Sequence, residues 1–179
     1  MGTVVALGCG LVGRFVIERL IAAKHDVVVI DLNIPESLKT NPKVEAREGD
    51  ALEHIKALEP NQTVVNMLPG RIGDLVRAPL LQGGHNVVDL AFTAEDPHRH
   101  QAIAEANDSV LLWDVGIAPG ISNMLVKQAF EALGPLTSVS IKVGGNPCQM
   151  DDEWSYICLL YTSDAADEGL GVDLGGRRI

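Results

Sequence analysis

Basic charge is scarce in this sequence. Lys and Arg number 14 against 24 Asp and Glu, giving a formal net charge of −10 at pH 7 with histidine neutral. Nucleic-acid binding needs basic patches that replace the counterions of the phosphate backbone, so no nucleic-acid partner is expected. Cysteine is scarcer still. Cys9, Cys148 and Cys158 are odd in number and form no Cys-x-x-Cys pair, which offers no metal site and fits a reducing, cytoplasmic setting. No apolar run is long enough to span a bilayer. Met1-Gly2 leads straight into an apolar run, without a basic n-region or a small-residue cleavage site. Neither export nor a membrane partner is therefore expected. Internal repeats and low-complexity tracts are absent as well. The pair His98 and His100 sits two positions apart, so the imidazoles diverge, whereas metal pairs on a helix prefer a spacing of four. Both are read as surface residues.

What the sequence does contain is concentrated at its start. The apolar run 3–7 flows into Gly8-Cys9-Gly10-Leu11-Val12-Gly13, a Gly-x-Gly-x-x-Gly that opens a helix with apolar residues at Leu11, Val12, Phe15, Val16 and Leu20. A second apolar run, Val27-Val28-Val29-Ile30, ends in Asp31, eighteen positions after Gly13. Each part has a use in holding a dinucleotide. Gly8 permits the tight strand-to-helix turn, Gly10 lets backbone approach a pyrophosphate, and Gly13 lets the helix pack closely on the sheet. The helix start offers N–H groups and the positive end of its dipole to phosphates. Asp31 can accept hydrogen bonds from ribose hydroxyls and would repel a 2′-phosphate, which points to NAD, with NADP also possible. A lone glycine motif is weak evidence; flanked by strand, helix and distal acid it is strong. Cys9 fills a variable slot of the loop and is read as a small buried side chain, although a helix dipole can lower a thiol's pKa.

Strand and helix patterns alternate along most of the chain. Apolar runs lie at 3–7, 27–30, 44–46, 63–67, 86–90 and 110–113, the last ending in Trp113, read as core. Helical patterns lie at 11–24, 51–58, 71–82 and 96–106, with a short one at 36–39. Continuous apolar strands separated by helices indicate a parallel sheet covered on both faces. With right-handed crossovers this gives an α/β, doubly wound Rossmann fold of strand order 3-2-1-4-5-6. A further helix at 121–133 is stopped by Gly134-Pro135. Beyond it, 137–143 alternates Val139, Ile141 and Val143 inward, as the first strand of a second sheet. The expected organisation is a dinucleotide-binding domain over 1–136 and the start of a second α/β substrate domain over 137–157.

Ligands of such sheets sit outside the carboxyl ends of the strands. Besides the glycine loop and Asp31, that edge holds Asp50 and Ala51, placed to meet an adenine edge. It also holds Asn66, Met67 and Leu68, placed beside the ribose and pyrophosphate, and Ala91 after the fifth strand. Asp50 also suits a helix N-cap. Asp89 and Asp114 lie furthest toward the nicotinamide half, where either could position a substrate amine or handle a proton; capping of the following loop is the competing role.

A family resemblance becomes specific at Trp113-Asp114-Val115-Gly116-Ile117-Ala118-Pro119-Gly120-Ile121-Ser122-Asn123. With Val65-Asn66-Met67-Leu68-Pro69-Gly70, Asn86-Val87-Val88-Asp89-Leu90 and Val143-Gly144-Gly145, this stretch resembles the saccharopine dehydrogenase-like amino-acid oxidoreductases. The resemblance runs in order from about Thr3 to Tyr156. It implies NAD- or NADP-dependent chemistry on a C–N bond of an amino-acid substrate, with hydride passing to the nicotinamide and water opening the resulting imine. Gly144-Gly145-Asn146-Pro147, leading to Trp154-x-Tyr156, looks closest to the lysine 6-dehydrogenase branch. It also implies a second domain that carries most substrate contacts and a homodimer surface, so turnover is not expected from a chain holding only its beginning. The first half also resembles nucleotide-sensing regulatory domains of potassium-transport systems. Such sensors have no reason to carry Asn66-Met67-Leu68-Pro69-Gly70 or the Asp-x-Gly-x-x-Pro-Gly segment. A binding protein without catalysis on the same scaffold is a third reading.

The last stretch stands apart. Cys158-Leu159-Leu160-Tyr161-Thr162-Ser163-Asp164-Ala165-Ala166-Asp167-Glu168 resembles an in-frame translation of a transposase-type sequencing-library adapter, and 169–179 looks like its continuation. The segment has no sustained helical or strand period. A non-native tail over 158–179 is expected.

Overall fold

The computed structural model describes residues 2–141. Val143, the acidic turn at Asp151-Asp152-Glu153 and the adapter-like segment 158–179 lie outside the described residues. The chain divides into two units, Met1–Gly120 and Ile121–Ile179.

The first unit is one sheet with helices on both faces. Its strands are β1 (Thr3–Leu7), β2 (Asp26–Asp31), β3 (Val44–Glu48), β4 (Thr63–Asn66), β5 (Asn86–Asp89) and β6 (Leu111–Leu112). They lie in the order β3-β2-β1-β4-β5-β6, with parallel pairing throughout. This is the doubly wound Rossmann arrangement, with the order reversing between β1 and β4. The intervening helices are α1 (Leu11–Ala22), α2 (Glu36–Lys39), α3 (Ala51–His54, continued as a 3-10 turn over Ile55–Ala57), α4 (Gly70–Gln82) and α5 (Gln101–Ala106, entered from a 3-10 turn over Pro97–His100).

Alternation along the strands divides the core in two. Val5, Leu7, Val28, Ile30, Val64 and Val87 face one side, packed against Ala51, Ile55, Val76, Leu80 and Leu81. Ala6, Val27 and Val29 face the other, against Ile17, Ile34 and Leu38. Strands buried on both faces read as unbroken apolar runs, which is why β1, β2 and β4 were plain in the sequence. β3 is the edge. Its Glu45, Arg47 and Glu48 are charged, with an Arg47–Glu45 ion pair at 2.8 Å, and charge on an outer strand discourages pairing with another chain.

Boundaries differ from the sequence pattern in a few places. α1 ends at Ala22, because Lys24 turns left-handed at φ 68° and the His25 N–H reaches back to the Leu20 carbonyl. The predicted helix 96–106 begins as a 3-10 turn, entered through Asp96, whose carboxylate caps the His98 N–H at 2.9 Å. β6 covers only two residues of 110–113, with Leu112 51% exposed, and Trp113 is half-buried rather than core. Its ring instead meets His98 edge-on, 5.0 Å between centroids.

In the second unit, α6 (Ile121–Leu133) has the predicted span and ends as predicted. Gly134 adopts φ 82° and its N–H bonds the Phe130 carbonyl at 2.9 Å. The chain then folds back so that Pro135, Leu136 and Val139 line a hollow with Val126 and Phe130. The expected strand at 137–143 is not formed over its described part, 137–141, and Ile141 is 49% exposed. A strand needs a partner to satisfy its backbone, and none lies beside it among the described residues.

Candidate functional site

The register aligns the carboxyl ends of four strands. Leu7 pairs with Ile30 on one side and Asn66 on the other, and Asn66 pairs with Asp89. The glycine loop therefore leaves the sheet between the tips of β2 and β4, at the point where the strand order reverses.

Its three glycines differ in what surrounds them. Gly8 adopts φ 91° and lies against the Met67–Leu68 peptide, where a β-carbon would sit 3.0 Å from the Met67 carbonyl oxygen. A β-carbon on Gly13 would overlap the Gly8 carbonyl, so α1 can pack this closely only without a side chain there. Gly10 is different. It has ordinary extended angles (φ −63°, ψ −162°), and a β-carbon there would have no neighbour within 4 Å. Neither the backbone nor the packing of this chain requires glycine at position 10. No side chain caps the start of α1, so the N–H groups of its first turn are presented beyond Gly10. Leu11 and Val12 form the rim, 83% and 56% exposed.

Asp31 is drawn into the loop. Its Oδ2 accepts the Cys9 N–H at 2.7 Å and its Oδ1 accepts the Asn33 N–H at 3.0 Å. Cys9 is buried, as read from the sequence, with its thiol directed at the Asn33 carbonyl at 3.4 Å. Burial, followed by the Asp31 charge, pushes this thiol up to about 11, so the helix dipole does not make it a reactive thiolate. Glu48 steadies the segment after β2. It accepts the Ile34 N–H at 3.0 Å and a 2.8 Å bond from Lys39, which holds its carboxyl below the usual range. Arg14, on the first turn of α1, donates Nε to the Cys9 carbonyl at 3.2 Å.

Asp50 caps α3, accepting the Leu52 N–H at 2.7 Å, and Ala51 behind it is buried. The capping role read for Asp50 is therefore present in the structure.

On the β4–β5 side the polar residues face inward. Asn66 is fully buried; its Nδ2 donates to the Gly73 carbonyl and to Asp89 Oδ2, each at 3.0 Å, and its Oδ1 accepts the Leu68 N–H at 3.3 Å. Met67 and Leu68 are half-buried, one packed on each core. Asp89 is fully buried too. Arg77 Nε donates to its Oδ2 at 2.7 Å, and the Ala91 N–H donates to its Oδ1 at 2.6 Å. Arg77, itself 1% exposed, continues to the Ala91 carbonyl at 3.1 Å and Thr93 Oγ1 at 2.9 Å. These bonds tie Asp89 to the scaffold: a carboxylate shielded from solvent and bound to Arg77 is not placed to meet a substrate amine. Gly70 and Gly73 make the same region tight, since β-carbons there would overlap Phe92 and Ala91.

Arg77 was missed by the sequence reading, although it left a signal. It falls on the buried face of α4 with Gly73, Val76, Leu80 and Leu81; a charged residue in a core position implies a buried partner. The reading of His100 as a surface residue is corrected as well. It is 6% exposed, packed near Asp74 and Arg99, and burial lowers its pKa; His98 is exposed, as read.

Asp114 follows β6 at φ 56°, a left-handed conformation unusual for a residue with a side chain. Its carbonyl accepts the Gly116 N–H at 2.9 Å, and Gly116 bridges to Gly120, closing the Asp-x-Gly-x-x-Pro-Gly segment into a tight loop. The structure thus places Asp114 at the β5–β6 end of the edge and the glycine loop at its centre. The segment is joined to β5 through the Asp89 main-chain carbonyl, which accepts the Val115 N–H at 3.1 Å, while the Asp89 carboxylate is engaged by Arg77, Asn66 and the Ala91 N–H.

No protein-family model matches the chain. Among solved structures, a D-isomer specific 2-hydroxyacid dehydrogenase from Lactobacillus delbrueckii ssp. bulgaricus, in NAD complexed form, aligns at 17% identity with a TM-score of 0.37, over 76% of this chain and 56% of that one. An acyclic imino acid reductase in complex with NADPH and D-Arg aligns at 16% identity with a TM-score of 0.34, over 77% of this chain and 53% of that one. The chain spans about half the length of these two structures. The fold assignment rests on the strand order and register.

Proposed function

We propose that this chain carries the dinucleotide-binding domain of an NAD(P)-dependent oxidoreductase acting on the C–N bond of an amino acid, of the saccharopine reductase or lysine 6-dehydrogenase kind. The observation that carries the reading is Gly10. Gly8 and Gly13 have reasons within the chain to be glycine, while position 10 opens onto empty space in front of an uncapped helix start. A pyrophosphate lying close to the backbone supplies the missing reason.

In this reading the N–H groups of the α1 first turn hold the pyrophosphate. Asp31 faces the adenosine ribose and favours NAD, and Leu11 and Val12 cover the phosphates. Ala91 and the loop after β5, held by Arg77, support the nicotinamide end. A nicotinamide held there would supply the hydride acceptor for the carbon bearing the amine. Asp114, at the turn after β6, is the carboxylate assigned to the substrate amine. Asp89 acts only as the buried anchor of that loop. The substrate contacts belong to a second domain of which 137–157 is the beginning, and the whole protein is assigned a homodimer. Two measurements test the reading. Calorimetric titration of this chain with NAD should give saturable binding, and a protein extended through the second domain should reduce NAD in the presence of an amino acid with a side-chain amine. Absence of binding by this chain sinks the dinucleotide assignment; binding without turnover in the extended protein sinks the enzyme.

A further inference from the structure

We infer that Arg14 gives this site a second affinity, for the 2′-phosphate of NADP, beside the acid that favours NAD. The inference rests on the dinucleotide-binding reading above. Asp31 and Arg14 grip the same loop residue from opposite polarities: Asp31 Oδ2 accepts the Cys9 N–H at 2.7 Å, and Arg14 Nε donates to the Cys9 carbonyl at 3.2 Å. The guanidinium is therefore tethered at the β2 side of the glycine loop, where the adenosine ribose belongs.

Charge accounting around that point singles out Arg14. Lys39 is committed to Glu48 at 2.8 Å, and Glu48 also accepts the Ile34 N–H. Arg14 is exposed, pairs with no carboxylate among the described residues, and engages only its Nε. Its two Nη groups remain to bind a ligand, and a guanidinium fork matches a phosphate in both charge and shape. The opposing charge is blunted, because both Asp31 oxygens already accept backbone N–H bonds. A carboxylate so engaged repels a nearby phosphate less than one left bare, and the free Nη groups of the exposed, tethered arginine offset what repulsion remains. NADP is thus admitted, at lower affinity than NAD, and Arg14 sets the size of the gap.

The test is calorimetric titration of this chain and its Arg14→Gln and Arg14→Lys variants with NAD and with NADP, with thermal melts as a folding control. The expected result is a selective loss: in Arg14→Gln, NADP affinity falls about tenfold more than NAD affinity. Arg14→Lys keeps part of that difference, because it retains the charge and loses the fork. The NADP affinity of the parent should also weaken more steeply with added salt than that of the variant. Equal weakening toward both cofactors would show that Arg14 only supports the loop, and would overturn the inference. A parent that binds NAD and not NADP overturns it too, leaving the dinucleotide reading intact. If the parent binds neither, the reading itself fails and the inference goes with it.

Discussion

The backbone N–H of Cys9 donates to Oδ2 of Asp31 at 2.7 Å, so the acid at the tip of β2 holds the middle of the glycine loop. One carboxylate thus shapes the loop and faces the place where a ribose would lie. Replacing it should disturb both. Asp31→Ser should lower NAD affinity by about tenfold, through loss of charge-assisted bonds, and bring NAD and NADP affinities closer together. It should also cost about 1–2 kcal/mol of stability, because the Cys9 N–H loses its acceptor. Calorimetry with both cofactors and a urea titration read the two effects separately; tighter NADP than NAD binding by the unaltered chain would contradict the assignment of Asp31.

Gly10 and Gly13 should separate binding from folding. At position 10 a side chain enters empty space, so Gly10→Val should melt within a few degrees of the parent while abolishing NAD binding. At position 13 a β-carbon overlaps the Gly8 carbonyl, and relief requires α1 to move off the sheet. Gly13→Val should lose about 1–3 kcal/mol, in the range for overpacked sites. A Gly10→Val protein that still binds NAD would reduce the loop to a structural turn.

The contrast between those glycines marks how far sequence could carry the reading. Periodicity located β1, β2, β4 and β5 within a residue at each end, because their buried residues leave unbroken apolar runs, and it caught only the apolar start of the charged edge strand β3. It overextended β6, whose Leu112 lies at an exposed edge, and proposed a strand through Val139 and Ile141 that has no partner among the described residues. Local pattern carries no information about pairing across the sheet. The same limit applied to the acids. Asp31, Asp89 and Asp114 all sit at carboxyl ends of strands or just beyond, and nothing local distinguishes them. What separates Asp89 is Arg77, twelve positions away on α4.

That pair supplies the third prediction. Arg77→Met would leave the Asp89 carboxylate buried without its cation, and should destabilise the protein by about 3–5 kcal/mol. Asp89→Asn should also be costly, since Arg77 would lose its shorter ion pair, at 2.7 Å, and keep only the longer one to Asp74, at 3.4 Å. The double variant Arg77→Met, Asp89→Asn should recover part of the loss, because no uncompensated charge is left inside. Equilibrium denaturation of the three variants gives the coupling directly. Additive losses would mean that the two side chains act independently, against the geometry.

The last prediction concerns pH, and it follows from two buried imidazoles that are used as acceptors. His85 Nδ1 accepts the Gln62 N–H at 3.3 Å, and His100 Nε2 accepts from Arg99 Nε at 3.2 Å. Protonation would destroy either acceptor and place a charge in a site shielded from water. Burial lowers the pKa of both from the ordinary 6.5; at His100 the Arg99 charge adds to this, and Asp74 opposes it. A base with a lower pKa in the folded than in the unfolded chain binds fewer protons when folded. Its stabilising contribution is complete above the unfolded value of 6.5 and is lost as pH falls from there toward the folded value. Glu48 acts in a separate window: its Lys39 bond lowers its pKa from 4.5, so its contribution is lost only in stronger acid. Urea titrations at a series of pH values should therefore show a plateau above about pH 6.5 and a decline as pH falls below it. His85→Gln and His100→Gln should each lower the plateau and flatten part of that decline, whatever their separate costs in packing. A stability that stays level or rises as pH falls through this window would show that the two histidines are not held neutral by the fold.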